Sequence, residues 1–158
     1  MADAQKLPFE DDLFDVVIGE FIIGLLDDKE SGVNEYLRVT KPGGYVGINE
    51  ATWIKTSPPT ELAEYLSRTC GVKGEIPTSD GWEELLTGTG LRDVVVRTYK
   101  VNVLSEKREN LKDVLRVWYR ALYVYIRSSA FRRFIKEARS IPKSFLEYWG
   151  YGLYVGKK

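Results

Sequence analysis

Two carboxylates, Glu20 and Glu50, each stand just past a short run of strand character, Phe14–Ile18 and Tyr45–Asn49. A carboxylate at the end of a core strand is well placed to take a proton from a reacting group. It can equally accept hydrogen bonds from a neighbouring loop, and the residues leave both roles open. Other chemistry is excluded by composition. The 158 residues include no histidine and one cysteine, Cys70. That removes Ser-His-Asp and Cys-His catalysis, histidine-based metal sites and any disulfide within the chain. The pairs Asp11-Asp12 and Asp27-Asp28 lack the alternating oxygen spacing of a calcium loop. They read as turn and helix-start residues, and no metal is expected.

A second group with chemical potential is aromatic. Trp53, Trp118 and Tyr119, with Trp82, Tyr123, Tyr125 and Trp149, make the later half of the chain ring-rich. Such residues either pack helices onto a sheet or line an apolar acceptor pocket or lid. Arg116, Arg120 and Arg127 fall near the edge of a helix's polar face. They suit solvent, an anionic acceptor or a membrane surface. Net charge is zero, so nothing global draws the chain to nucleic acid or membrane. The zero is a cancellation: residues 1–50 hold 4 basic and 11 acidic groups, residues 105–145 hold 11 and 4. Two solvated faces, or an acidic half docked on a basic half, both account for it.

The elements that position these groups follow from pattern. Phe14–Ile18 predicts a strand buried on both faces. Asp27 or Asp28 caps a helix whose Val33, Tyr36 and Leu37 share one side. Lys41-Pro42-Gly43-Gly44 stops that helix, and Tyr45–Asn49 returns as a second strand, completing a βαβ unit. A helix is expected from about 59 to 69. The next is capped by Ser79 or Asp80, with Trp82, Leu85 and Leu86 facing inward. Asp93–Val101 predicts a strand, buried at first and then alternating. From Ser105, apolar residues recur at three- and four-residue steps through Ile126, and again from Phe131 to Ala138. This predicts two amphipathic helices broken at Ser128-Ser129, an insertion over about 105–142. Tyr148–Gly156 predicts a terminal strand. The whole reads as one domain, 1–158.

Asp3-Ala4 with Leu7-Pro8-Phe9, then Phe14-Asp15-Val16-Val17, then Leu37-Arg38-Val39-Thr40-Lys41-Pro42-Gly43-Gly44, resembles the class I S-adenosylmethionine-dependent methyltransferases. The group concerned includes the ubiquinone/menaquinone C-methyltransferases. Trp82 to Val96 resembles that family's last helix and penultimate strand. The likeness implies an α/β fold, the C-terminal part of a Rossmann-like sheet with the family's strands in the order 4-5-7-6, and the helical insertion before the last strand. It implies a transferase using S-adenosylmethionine, with a small and largely apolar acceptor. Asp3 would accept from the adenine amino group and the Ala4 N–H would face the ring, with Gln5 beside them. Gly19, Glu20 and Phe21 would border the methyl group. Methyl transfer is an in-line displacement governed by proximity and orientation, so the missing histidine is no objection. Glu20 and Glu50 are the candidate bases, and Trp53, Trp118 and Tyr119 the candidate substrate contacts.

One departure from the family pattern is large. No glycine-rich G-x-G turn lies between a strand and a following helix, so these residues encode about half a cofactor site. The expectation is a domain truncated at its N-terminus, incomplete or inactive alone, or else a non-catalytic module acting through oligomerisation or partner binding. Phe14–Ile18 would then be an exposed apolar edge strand, covered by a homodimer or a partner chain. The polar, acidic start carries no signal peptide, and no apolar run is long enough to span a bilayer. The lone cysteine makes a reducing cytoplasm the expected location.

Overall fold

The computed structural model describes residues 3–55, 58–70, 75–100, 111–140 and 147–158. Strand β1 (Phe14–Glu20) leads through a 3-10 turn (Ile23–Leu25) into helix α1 (Lys29–Val39) and strand β2 (Thr40–Trp53). Helices α2 (Thr60–Cys70) and α3 (Ser79–Gly88) precede β3 (Arg92–Lys100), and α4 (Leu111–Arg127) and α5 (Ser129–Ser140) precede β4 (Trp149–Lys157). The four strands form one sheet in the order β1-β2-β4-β3. β1 and β2 run parallel, while β4 is antiparallel to both of its neighbours. This is the strand order that the resemblance implies.

Local chemistry explains the boundaries. Asp28 caps α1 by accepting from the Ser31 N–H at 2.9 Å, which settles the choice between the two aspartates. For α3 the cap is Thr78, whose hydroxyl accepts from the Gly81 N–H at 3.2 Å, not Ser79 or Asp80. The Lys41–Gly44 segment is not a separate turn. It is the bulged start of β2, where the pairing slips between Phe14↔Thr40 and Val16↔Tyr45. Gly43 sits there at φ 80°, a conformation that glycine adopts without a side-chain clash.

The core lies on one face of the sheet. Val46 and Ile48 of β2 and Tyr154 of β4 meet Val33 and Tyr36 of α1 and Trp82 and Leu86 of α3, all buried. A smaller cluster of Trp53, Leu62, Leu66 and Ile76 extends it toward α2. On the other face, Val16 and Ile18, Tyr45, Val155 and Leu153, and Val95 and Tyr99 are exposed in adjacent rows across all four strands. Ile18 retains 72% of its surface. The expectation that Phe14–Ile18 is buried on both faces is therefore corrected: β1 is an edge strand covered on one face only. β3 likewise opens with exposed residues where burial is expected.

Helices α4 and α5 pack on each other. Tyr119, Tyr123 and Tyr125 remain exposed, so these rings do not pack the insertion onto the sheet. Ile141 and Pro142, expected to end α5, lie outside the described residues, as does the segment 105–110. The ion pairs that tie down the acidic N-terminal third run to Arg38, Lys41 and Lys158.

Candidate functional site

In an open sheet with parallel strands, ligands collect beyond the C-terminal strand ends. Here that place is where β1 gives way to the 3-10 turn beside the middle of β2. Glu20 pairs in register with Asn49, and Phe21 donates its N–H to the Asn49 carbonyl at 2.8 Å. Phe21 then takes φ 51°. Left-handed backbone at a bulky residue costs on the order of 1–3 kcal/mol and persists only where the surroundings enforce it.

The enforcing group is Glu50. Its side chain is almost wholly buried, and one carboxylate oxygen, Oε1, accepts from the N–H groups of Ile22 at 2.9 Å and Ile23 at 2.7 Å. A Cβ on Gly24 would come within 2.8 Å of Oε2, so this turn requires glycine to close over the carboxylate. Burial pushes the Glu50 pKa up, opposed by the N–H groups of Ile23, Ile22 and Gly24 and by Lys29. Gly19 has a matching reason to be glycine, since a Cβ there would press to 2.6 Å on the Tyr36 ring.

Around Glu50 lies a cavity of about 40 Å³, walled by Phe21, Leu25, Ile76, Pro77 and Trp82. That is room for about one water molecule. Trp82 is fixed by donating Nε1–H to the Ala51 carbonyl at 2.9 Å. The Pro77 carbonyl accepts from the Trp53 N–H at 3.2 Å and the Thr52 hydroxyl at 3.1 Å. The arrangement is an apolar slot with one buried acid, Glu50, at its base.

Of the residues singled out by sequence, Gly19, Phe21 and Glu50 are thus brought together, while Glu20 is exposed and, paired with Asn49, alternates to the other face of the sheet. Asp3, Ala4 and Gln5 form a separate turn, in which the Asp3 carboxylate accepts from the Gln5 N–H at 2.9 Å. Gln5 reaches the Asp28 carbonyl at 3.3 Å and borders an open polar cleft of about 510 Å³ along α1. Arg38 ties the following loop to α1, donating to Glu35, Asp11 and the carbonyls of Phe9 and Leu7. Trp53 packs in the smaller core cluster. Tyr119 is 74% exposed on α4, and the side chain of Trp118 lies outside the described residues. Neither Trp53 nor Tyr119 walls the cavity. Gly24, Ile76 and Pro77 escaped the reading by sequence. Only Pro77 carried a signal, as a rigid residue before a helix cap. Among the described residues no cluster of acidic, cysteine or histidine side chains could hold a metal ion.

Residues 1–48 match the family described as methyltransferase domain. The sheet order and the parallel β1–α1–β2 unit agree with this match, and together they support a class I S-adenosylmethionine-dependent methyltransferase family. It is 45% identical over 67 residues to a demethylmenaquinone methyltransferase of Streptomyces avermitilis, covering 42% of this chain and 29% of that protein. An uncharacterized protein of Haemophilus influenzae is 33% identical over 108 residues, covering 67% and 43%. The chain thus spans less than half the length of these relatives. Among solved structures, the [4+2]-cyclase SpnF superposes on 99% of the chain and 54% of its own, with TM-score 0.69 at 18% identity. Phosphoethanolamine N-methyltransferase 2 of Haemonchus contortus, bound to S-adenosylhomocysteine, gives 99%, 36%, 0.69 and 20%. The two structural likenesses concern the fold, which hosts a cyclase as well as a methyltransferase.

Proposed function

We propose that this chain supplies the acceptor side of an S-adenosylmethionine-dependent methyltransferase site, acting on a small, largely apolar molecule. One observation carries the reading. Phe21 holds a strained backbone at the end of β1, pinned between the Asn49 carbonyl and the Glu50 clamp, beside an apolar slot. Strain maintained at a strand end is characteristic of a built site. Relatives named for demethylmenaquinone and for phosphoethanolamine support a small-molecule acceptor, and the exposed apolar side chains of Phe21 and Leu25 at the slot's mouth favour the less polar kind.

In this reading Glu20, exposed at the C-terminal end of β1, is the base where the acceptor must lose a proton. Glu50, with its oxygen committed to two backbone N–H groups, positions Phe21. Asp3 fits the adenine amino group, because one of its oxygens is held by Gln5 and its side chain is exposed. The fit stops there. The 158 residues contain no glycine-rich strand-to-helix turn for the methionine carboxylate, so a further segment or a partner chain completes the cofactor site. Calorimetric titration with S-adenosylhomocysteine tests this: micromolar binding by the chain alone overturns the need for a second segment. Binding only after a glycine-rich N-terminal half is added supports the reading.

A second reading rests on the bare sheet face. An apolar face and a parallel edge strand left open together favour a non-catalytic module that works by pairing β1 with a second copy or a partner. Light scattering that finds a monomer at high concentration, with no partner captured, sinks it.

A further inference from the structure

No described side chain of the α4–α5 hairpin lines the slot or joins the core clusters, yet the hairpin is the most strongly patterned part of the chain. Tyr119, Leu122, Tyr123 and Ile126 recur at helical spacing along α4 and are all exposed, Tyr119 at 74% and Ile126 at 67%. Four large apolar side chains in a row, turned to water, are a binding surface and not a core face. The stripe has a basic border. Arg120 and Arg127 lie along one side of it by helical spacing, and the Arg127 guanidinium sits 4.7 Å from the Tyr123 ring centroid. On α5, Arg133 and Lys136 are exposed. Residues 111–140 hold eight basic and two acidic groups, an excess of six positive charges in a chain whose net charge is zero.

The corner between the helices is fixed. Arg132 donates to the carbonyls of Tyr125 and Ile126 at 2.9 and 2.8 Å, and the Ser128 hydroxyl accepts from the Phe131 N–H at 3.1 Å. The two helices therefore present the stripe and the charges as one unit. Among the described residues no helix is long and apolar enough to cross a membrane. What remains is the pattern of a helix that lies in a bilayer's interface: a stripe of the most exposed apolar and aromatic side chains, arginines along its edge, no spanning length, with Val124 and Tyr125 less exposed away from the stripe.

We propose that the α4–α5 hairpin docks this protein on an anionic lipid surface, with Tyr119, Leu122, Tyr123 and Ile126 inserted at the acyl boundary and Arg120, Arg127, Arg133 and Lys136 against lipid phosphates. Charge selects the occupant. A purely apolar partner would leave the basic border unmatched, whereas an anionic headgroup layer meets both features at once. The acidic N-terminal third, with 11 acidic and 4 basic residues, is repelled by the same surface and so favours an orientation with the hairpin inward.

The test is co-sedimentation of the full chain with phosphatidylcholine vesicles, with and without about a third phosphatidylglycerol. Binding is expected to the anionic vesicles, at least tenfold weaker to the neutral ones, and weakened again by about 0.5 M salt. Tyr119→Asp with Ile126→Asp should abolish it, and Arg133→Glu with Lys136→Glu should weaken it at least tenfold. Because all four side chains are exposed, thermal unfolding by circular dichroism should be unchanged in both variants. Absence of sedimentation with anionic vesicles overturns the proposal. So does equal binding to neutral ones, or binding that survives the stripe substitutions. A dimer in light scattering that Ile126→Asp dissociates, with no vesicle binding, assigns the stripe to a second copy instead.

Discussion

The two faces of the sheet are made from the same strands and nearly the same residue types, yet only one is a core. β2 shows this within a single strand. Val46, Ile48, Glu50 and Thr52 alternate into the side covered by α1 and α3, while Tyr45 points to the side that no described helix covers. Apolar character is thus shared, and cover is what differs. Where cover exists, the structure can also hold a buried carboxylate, because Glu50 has backbone N–H groups aimed at it. Where cover is lacking, the strands present valine, isoleucine, leucine and tyrosine to water. A sheet face of that composition needs a partner surface. The face that carries the slot is covered by α1 and α3, and the other has no cover among the described residues.

The largest test of this contrast is at Trp82, fully buried against the Tyr154 ring at a centroid distance of 6.1 Å. Trp82→Ala removes the wall of the slot and the central ring of the covered face. A loss of about 3–5 kcal/mol is expected in urea unfolding, with the midpoint shifted and the slope little changed. A loss under about 1 kcal/mol would mean that the covered face is not the main core.

Glu50 comes next. Glu50→Ala leaves the Ile22 and Ile23 N–H groups without their acceptor, and about 2–3 kcal/mol should be lost. Glu50→Gln keeps an acceptor oxygen and should cost much less. The pair also differs in pH response. Burial raises the folded pKa of Glu50, so between the unfolded value of 4.5 and that raised value the folded state binds more proton than the unfolded one. Its contribution to stability is therefore fully present below pH 4.5 and is lost as pH rises through the folded pKa. Glu35 works in the opposite direction: its hydrogen bond from Arg38 lowers its pKa, so its contribution is present above pH 4.5 and lost in acid. Glu50→Gln should remove the first dependence and leave the second. Stability measured against pH from 3 to 8 in both proteins checks this, about a unit being the resolution needed.

Phe21 measures the strain. Phe21→Gly relieves the left-handed backbone and should stabilise the chain by about 1 kcal/mol, while removing a ring from the slot wall. Lower stability than the parent would mean that the ring's contacts outweigh the backbone cost.

Much of this was legible in residue order. The KPGG segment, the Asp-Ala pair and the Trp82–Val96 stretch carried the family, and the family carried the sheet order. Hydrophobic period placed α1, α3, α4 and α5 within a few residues. What the sequence hid has a common cause. Period shows which side chains share a face and not whether anything lies on that face, so Phe14–Ile18 read as doubly buried and Tyr119 as core or pocket. The role of Glu50 was left open between a base and an acceptor for a neighbouring loop, for a different reason. A clamp made of backbone N–H groups has no side-chain signature, and only the bend at Phe21 and the closeness of Gly24 give it away. The KPGG segment misled in detail because a bulge and a turn use the same glycine chemistry.

The smallest expected effect bears on the bare face. Ile18 is 72% exposed on the edge strand, so in a dilute isolated chain Ile18→Ser should change stability by less than about 0.5 kcal/mol. Its influence should appear only with concentration. If β1 and its face pair with a second copy, the parent's melting temperature rises with protein concentration by mass action, and that of Ile18→Ser rises less. Measuring both proteins at micromolar and near-millimolar concentration separates two outcomes. Parallel, concentration-independent curves would show that copies of this chain do not cover the face, and that its cover comes from different residues. A divergence confined to the concentrated samples would make the chain its own cover. The difference between the two sheet faces would then be a property of the monomer alone.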